Sequence, residues 1–337
     1  MGPGARSPRA TSADSHRAAS IRYERVMSQP AMIPYDEFGL FHENAREHGL
    51  AFSGPPPVRR EAVVVDPATG RRVSALVFGA PGSTPECVFV HGGAQNAHTW
   101  DTVILALGSP AALCVDLPGH GHSDWREGGY DPHQHADDVA VAVRALAPEA
   151  KVVTGMSLGG LTSLRLAAKH PELVRRLVVV DVTPGVNQTK AKAIIDFVNG
   201  PAGFPDFDAI LARTVEHNPT RSVSSLRRGI LHNAKQLPDG SWQWRYDRRG
   251  TPESTDQPAP RRIEHDALWA DVAAVQAPML LVRGSTSPVV DDADVAELLQ
   301  RQPTAEVVMV EGAGHSVQGD KPLELAELIK QFVARHP

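Results

Sequence analysis

Short apolar or nearly apolar runs recur along this chain with polar, glycine-rich breaks between them. Cys87 to Val90, Ala111 to Val115, Val152 to Gly155, Leu173 to Val180, Met279 to Val282 and Glu306 to Val310 are of this kind. Runs this short with little polar alternation predict strands buried on both faces. Segments with apolar residues at helical spacing lie between them. Asp131 to Ala147 carries Ala and Val at that spacing behind an Asp131-Pro132 start, Leu161 to Lys169 is a second, and the last runs through Leu323, Leu325, Ile329 and Phe332. Glu61 to Val65 and Val73 to Phe78 flank Asp66-Pro67-Ala68-Thr69-Gly70, a hairpin signal. Buried strands alternating with helices predict an α/β architecture, a mostly parallel sheet covered on both faces.

The alternation breaks in two places. From Asn187 to about Asp271 the pattern turns mainly helical, over Ala191 to Asn199, Phe207 to Glu216 and Ser222 to Ala234, with one aromatic strand, Trp242 to Tyr246, behind Asp239-Gly240. Met1 to Ala31 is rich in Arg, Ser, Ala and Pro and has almost no aliphatic run, so it reads as a disordered tail, with a transit peptide as the alternative and Met27 or Met32 as later starts. Tyr35 to Gly49 follows as a short amphipathic helix. The expected organisation is a tail over 1–31, a core over 32–185, an insertion over 186–271 and the rest of the core over 272–337.

Composition narrows the function classes. A chain of 337 residues suffices for one large domain with an insertion. A net charge of -5 and a pI near 6.3 give no electrostatic footprint for nucleic acid. No apolar run approaches the roughly 18 residues that cross a bilayer, so a protein without a membrane partner is expected. Cys87 and Cys114 are the only cysteines and both fall in buried runs, which suits free thiols in the cytoplasm. The expected partner is a small-molecule substrate, and a second copy of the chain is left open.

The chemistry concentrates at Val152-Val153-Thr154-Gly155-Met156-Ser157-Leu158-Gly159-Gly160. An apolar strand runs into a tight turn and the turn into a helix, with Gly155 and Gly159 flanking Ser157 as G-x-S-x-G. A turn that sharp strains its central residue and tolerates only very small neighbours. Ser157 would therefore stand exposed at the end of its strand. With strand before and helix after, this stretch resembles the nucleophile elbow of the α/β-hydrolase fold family.

That resemblance covers roughly Arg60 to the C-terminus and implies an eight-stranded sheet with a mainly helical lid. It assigns His91-Gly92-Gly93, after Cys87 to Val90, to the loop that supplies one oxyanion-hole amide, so Gly93 and Leu158 are the expected donors. His91 is expected to orient this loop. Asp116-Leu117-Pro118-Gly119-His120-Gly121-His122-Ser123 matches a structural loop of the same family, so neither His120 nor His122 is expected in catalysis. Glu311-Gly312-Ala313-Gly314-His315 after the last strand places the general base at His315. Asp320-Lys321-Pro322 is read as the cap of the final helix.

The acid departs from the common family pattern. Gly284-Ser285-Thr286-Ser287 has serine where most relatives carry the carboxylate. A branch of the family carries it after the preceding strand, where Asp181 stands, and a small residue such as Ser287 leaves room for it. Asp181 is therefore assigned ahead of Asp291 or Asp292, which otherwise begin a helix as N-terminal acids. Gln95, His98, Met156 and Trp244 are candidate pocket residues, Trp244 alternatively belonging to the small core of the insertion.

The assigned groups make one chemical argument. A serine hydroxyl attacks only once an imidazole takes its proton, and a carboxylate holds that imidazole in the useful tautomer. No metal or organic cofactor is expected. The implied activity is a serine hydrolase acting on a small to medium, largely apolar carboxylic ester or lactone. Carbon–carbon bond hydrolysis and cofactor-free perhydrolysis use the same constellation, and a non-catalytic receptor on this fold is the alternative of a different class.

Overall fold

Eight strands form the main sheet of the computed structural model, which describes residues 1–2, 32–127, 129–248 and 264–337. The strands are β1 (Val58–Asp66), β2 (Arg71–Phe78), β3 (Cys87–Val90), β4 (Ala112–Val115), β5 (Val152–Met156) and β6 (Leu177–Val180), joined by Met279–Gly284 and Glu306–Val310 from the C-terminal part. Three short strands come before those last two: β7 (Gly203–Phe204), β8 (Ala234–Gln236) and β9 (Trp242–Trp244), so Met279–Gly284 is β10 and Glu306–Val310 is β11. The order across the sheet is β1-β2-β4-β3-β5-β6-β10-β11. β2 alone runs opposite to the other seven strands.

The apolar runs become strands because both faces of the sheet are covered. Successive side chains of a strand point to opposite faces. Val88 and Val90 accordingly pack with Val139, Val143, Leu161, Leu164 and Val272 from α3 (Pro132–Leu146), α4 (Leu158–Lys169) and the helix His265–Ala274. Phe89 points the other way, into a cluster with Phe41, Ile104, Ile329 and Phe332. These belong to α1 (Phe41–Glu47), α2 (Asp101–Ala106) and the final helix, Pro322–Arg335. Each such apolar side chain contributes about 1.5–3 kcal/mol on burial.

Local signals behave as their chemistry requires. Gly70 has φ +72° and closes the β1–β2 turn through its amide on Asp66 O, while Thr69 Oγ1 and the Ala68 amide donate to the Asp66 carboxylate. Asp131 caps α3 by accepting from the Gln134 amide, with Pro132 in the first turn. One expectation is corrected: Asp320 does not cap the final helix. It ends a separate short helix, Val317–Asp320, and Lys321 precedes Pro322 at the helix start. The Asp320 carboxylate instead accepts from the Gly314 amide and the Thr220 hydroxyl.

Beyond β6 the chain leaves the sheet. It forms α5 (Lys192–Val198), α6 (Phe207–His217) and α7 (Val223–Asn233), and a three-stranded antiparallel sheet of order β7-β9-β8. The sequence pattern found the three helices and β9; β7 and β8 carry too few residues to show a period. Ile210, Ile230, Leu231, Trp242, Trp244 and Tyr246 form a small core that also takes in Ala94 of the β3 loop. The tail expected over the first 31 residues and part of the insertion fall outside the described residues. Among the described residues no helix is long and apolar enough to cross a membrane.

Candidate active site

Ser157, Asp181 and His315 come together at the carboxyl edge of the parallel strands, each just beyond the end of β5, β6 or β11. Open α/β sheets bind their ligands at that edge. Ser157 has φ +52° and ψ -121°, a conformation that L side chains rarely adopt. The two flanking glycines are steric necessities. A Cβ on Gly155 would sit 2.3 Å from Gly159 O, and one on Gly159 would sit 2.3 Å from Val90 O and 2.4 Å from His91 O. Gly160 lets α4 lie close against Val182 and Val179.

Asp181 is completely buried and also has a left-handed backbone, φ +50°. Its Oδ1 accepts from the Gly284 amide at 2.9 Å, and its Oδ2 accepts from Ser287 Oγ and from His315 Nδ1 at 2.8 Å. Ser287 thus does more than leave space: it donates to the carboxylate. Gly284 permits the approach, since a Cβ there would meet Gly314 O at 2.3 Å and Ala313 O at 2.6 Å. Asp291 and Asp292 are occupied elsewhere. Asp291 caps the helix Asp292–Arg301 in a capping box and pairs with Lys190 at 2.9 Å, and Asp292 pairs with Arg283 at 2.7 Å.

With Nδ1 donating to Asp181, the second nitrogen of His315, Nε2, is left as an acceptor. It is buried and has no hydrogen-bond partner. Ser157 and His315 line the same cavity of about 470 Å³. No hydrogen bond joins Ser157 Oγ to His315 Nε2, a kind of contact that is often long until substrate tightens it.

The loop after β3 forms another part of the cavity wall. Gly92 lies against the elbow, a Cβ on it meeting Met156 Sδ at 2.5 Å and Ser157 Cβ at 3.2 Å. Neither the Gly93 nor the Leu158 amide has a protein acceptor among the described residues, Leu158 being the first residue of α4. His91 holds this loop. Its ring is fully buried, accepts from the Leu117 amide at Nε2 and therefore donates from Nδ1 to Gly92 O. Burial pushes its pKa down to about 3, so it stays neutral. Asp116 organises the neighbouring loop, its carboxylate accepting from the amides of Ala97 and His122 and from Arg60. Gly121, at φ +54°, makes room for that carboxylate. His120 makes a contact of 3.1 Å with Pro118 O and is buried, a scaffold position as the motif implied.

Gln95, His98, Met156 and Trp244 all line the cavity. Gln95 Oε1 accepts from the Gly92 amide, which fixes the loop. Trp244 is 6% exposed and packs among the rings of Phe197, Phe204 and Tyr246, so it serves the insertion's core as well as the cavity wall.

His98 belongs to a charge network that the sequence pattern did not show. Burial works against its charge, but the Asp101 carboxylate at 2.9 Å and Glu37 at 3.2 Å outweigh it and raise its pKa to about 9. Its ring stacks on His232, with centroids 3.8 Å apart and planes 10° from parallel. His232 is kept neutral by burial and by the neighbouring His98 charge. His98, Asp101 and His232 are the group among the described residues whose spacing could suit a metal ion. The ring geometry argues against it. Tyr35 Oη and His232 Nδ1 share a hydrogen bond of 2.8 Å, and His98 contacts Asp101 through Nδ1 and Glu37 through Nε2. The two ring planes are nearly parallel, and in-plane lone pairs in stacked planes do not converge on one ion.

Comparison with known proteins agrees with this fold. The family model for the alpha/beta hydrolase fold matches residues 88–322. Esterase Rv0045c of Mycobacterium tuberculosis is 45% identical over 314 residues, covering 90% of this chain and 98% of that one. Its crystal structure gives a TM-score of 0.76 over 90% of this chain and all of that chain. The 2-(acetamidomethylene)succinate hydrolase of Mesorhizobium japonicum is 31% identical, covering 75% of this chain and 89% of its own length. A solved E-2-(acetamidomethylene)succinate hydrolase gives a TM-score of 0.69 at 27% identity, over 82% of this chain and all of that one.

Proposed function

This chain belongs to the α/β-hydrolase fold family and is a hydrolase, and from that premise we propose that it cleaves a small to medium, largely apolar carboxylic ester or lactone through an acyl-enzyme on Ser157. The observation that carries this reading is the arrangement around His315. One ring nitrogen is held by a buried carboxylate, and the other is unpartnered beside the cavity that Ser157 lines.

In this mechanism His315 Nε2 takes the proton of Ser157 Oγ as that oxygen attacks the substrate carbonyl. The oxyanion forms against the amides of Gly93 and Leu158, each worth roughly 2.7 to 4 kcal/mol to the barrier in such sites. Collapse expels the alcohol, which leaves with the proton held by His315. Water, deprotonated by the same nitrogen, then attacks the acyl group; the acyl–Oγ bond breaks, His315 returns the proton to Ser157 Oγ, and the acid leaves. Asp181 stays ionised throughout and stabilises the imidazolium.

Ile194, Phe197, Leu226, Ile230 and Trp244 give the cavity an apolar wall on the insertion side, which supports an apolar substrate body. The segment 186–271 acts in this reading as a lid over the nucleophile. Cys87 and Cys114 are free thiols raised well out of the reactive range by burial, which fits the proposed cytoplasmic location.

The test is a panel of acyl esters of graded chain length, lactones and diketones, assayed with the wild type and with Ser157→Ala. Ester or lactone turnover abolished by Ser157→Ala supports the proposal. Turnover of diketones alone moves the activity to carbon–carbon cleavage, and turnover unchanged in Ser157→Ala refutes the assigned nucleophile.

A further inference from the structure

Three lysine and arginine side chains line the cavity: Lys190, Arg221 and Arg228. Two are neutralised. Lys190 pairs with Asp291 at 2.9 Å and Asp294 at 2.6 Å, and Arg228 pairs with Glu47 and lies 3.8 Å from Glu43. Arg221 has no ion-pair partner among the described residues. Its Nη2 donates to Ser225 Oγ at 2.6 Å, its Nε is buried with no partner, and its Nη1 has no partner and is not buried. Arg221 is half-buried and lines the cavity.

From this we infer, resting on the hydrolase reading above, that Arg221 is a specificity-determining residue: the substrate carries a carboxylate that seats on the Arg221 guanidinium, at one end of an otherwise apolar body. A half-buried cation without an ion-pair partner favours an anionic ligand, and a guanidinium presents donors in the fork that a carboxylate fits. Burial pulls the Arg221 pKa down and Arg228 adds to the shift, while Asp320 and Glu47 act against it without reversing it.

The position is built rather than incidental. Gly319 has no side chain where a Cβ would meet Arg221 Cζ and Nε at 2.7 Å, so the guanidinium rests on backbone four residues past His315. Asp320 Oδ2 binds both the Thr220 hydroxyl at 3.0 Å and the Gly314 amide at 2.7 Å. Thr220 and Arg221 are thereby tied to the loop that presents the general base. A carboxylate on Arg221 would hold the substrate at a fixed reach from the carbonyl that Ser157 attacks.

Asp320 supplies the competing role for Arg221, as a counter-charge for the buried Oδ1 that has no partner. The two roles separate in one experiment. Aryl monoesters of dicarboxylic acids are compared with neutral esters of the same length, across a series of lengths, in the wild type, Arg221→Gln and Arg221→Lys. The melting temperature of each protein and its labelling by a fluorophosphonate are measured alongside.

The inference expects the wild type to favour the carboxylate-bearing ester at its best length. Arg221→Gln should lower kcat/KM for that ester by about 10- to 100-fold, mainly through KM, and leave the neutral ester within about three-fold. Arg221→Lys should recover part of the loss. Preference for the neutral ester at every length overturns the inference. So does an equal loss for both esters with a lowered melting temperature, which assigns Arg221 to Asp320. Normal labelling with either of those results leaves the hydrolase reading standing, whereas failure of the wild type to label at all sinks that reading instead.

Discussion

Replacing Asp181 by Asn removes one negative charge and reverses one hydrogen bond. The asparagine keeps a carbonyl oxygen for the Gly284 amide, now 2.9 Å from Asp181 Oδ1, and turns its amide group toward Ser287 and His315. The Ser287 hydroxyl can rotate to accept. His315 Nδ1 can accept only by moving its proton to Nε2, the nitrogen that must take the Ser157 proton. The site is completely buried, so water does not restore the lost acceptor. The corresponding change in serine proteases costs about 10⁴ in turnover, or about 5.4 kcal/mol at 1.36 kcal/mol per decade. We expect a loss of about 10³ to 10⁴ in kcat on a chromogenic ester, with fold confirmed by an unchanged circular dichroism spectrum. Asp291→Asn and Asp292→Asn should stay within about three-fold of wild type, because their carboxylates serve a helix cap and surface pairs. Asp181→Asn retaining a tenth or more of the activity, or a large loss in either of the other two, would refute the reasoning.

Further outcomes follow from packing and charge. Gly159→Ala forces a Cβ onto two backbone carbonyls and should destabilise by about 1–3 kcal/mol or more in urea unfolding, whereas a Cβ on Gly93 meets nothing nearer than Leu158 Cδ2 at 3.9 Å. Equal midpoints for Gly159→Ala and Gly93→Ala would contradict this account of the elbow. Trp244→Ala removes a buried ring from the insertion's core and should cost about 3–5 kcal/mol, together with a shift in preference among acyl chain lengths. An unchanged unfolding midpoint would place the ring outside that core. Stability should also depend on pH in two opposite ways. Burial lowers the pKa values of His91, His135 and His232, so below about pH 6.5 the unfolded chain binds protons that the folded chain refuses, and stability falls with pH. His98, raised to about 9 because Asp101 and Glu37 outweigh its burial, contributes fully below about pH 6.5 and is lost as pH rises through 9. The melting temperature should therefore decline on both sides of neutrality, and His98→Gln should flatten the alkaline side. An alkaline decline identical in the two proteins would remove His98 from the explanation.

The parts of the site legible in the sequence are those where one local segment carries the whole constraint. The Gly155–Gly159 pair announces a strained turn because only hydrogen fits against Gly159 O and Val90 O. His315 follows a strand behind glycines, and Asp181 ends a strand whose partner loop offers Ser287 in place of a carboxylate. The buried strands were legible for the same reason, since a run such as Met279 to Val282 has no polar face to show. What stayed hidden is assembled from distant segments. The stack of His98 on His232, held by Glu37, Asp101 and Tyr35, joins the start of the chain, the β3 loop and α7, and no spacing encodes it. Asp320 reads locally as a helix cap, yet its carboxylate is taken by Gly314 and Thr220. Tertiary hydrogen bonds outcompeted the local motif there. The solitary charge of Arg221 is likewise visible only once the partners of Lys190 and Arg228 are known.

The central claim, that Ser157 is the nucleophile activated by His315, is tested most directly by treating the folded protein with a fluorophosphonate and mapping the adduct by peptide mass spectrometry. The account predicts one stoichiometric adduct on Ser157, formed far more slowly in His315→Ala. A folded protein that stays unmodified, or an adduct on another residue, would contradict it.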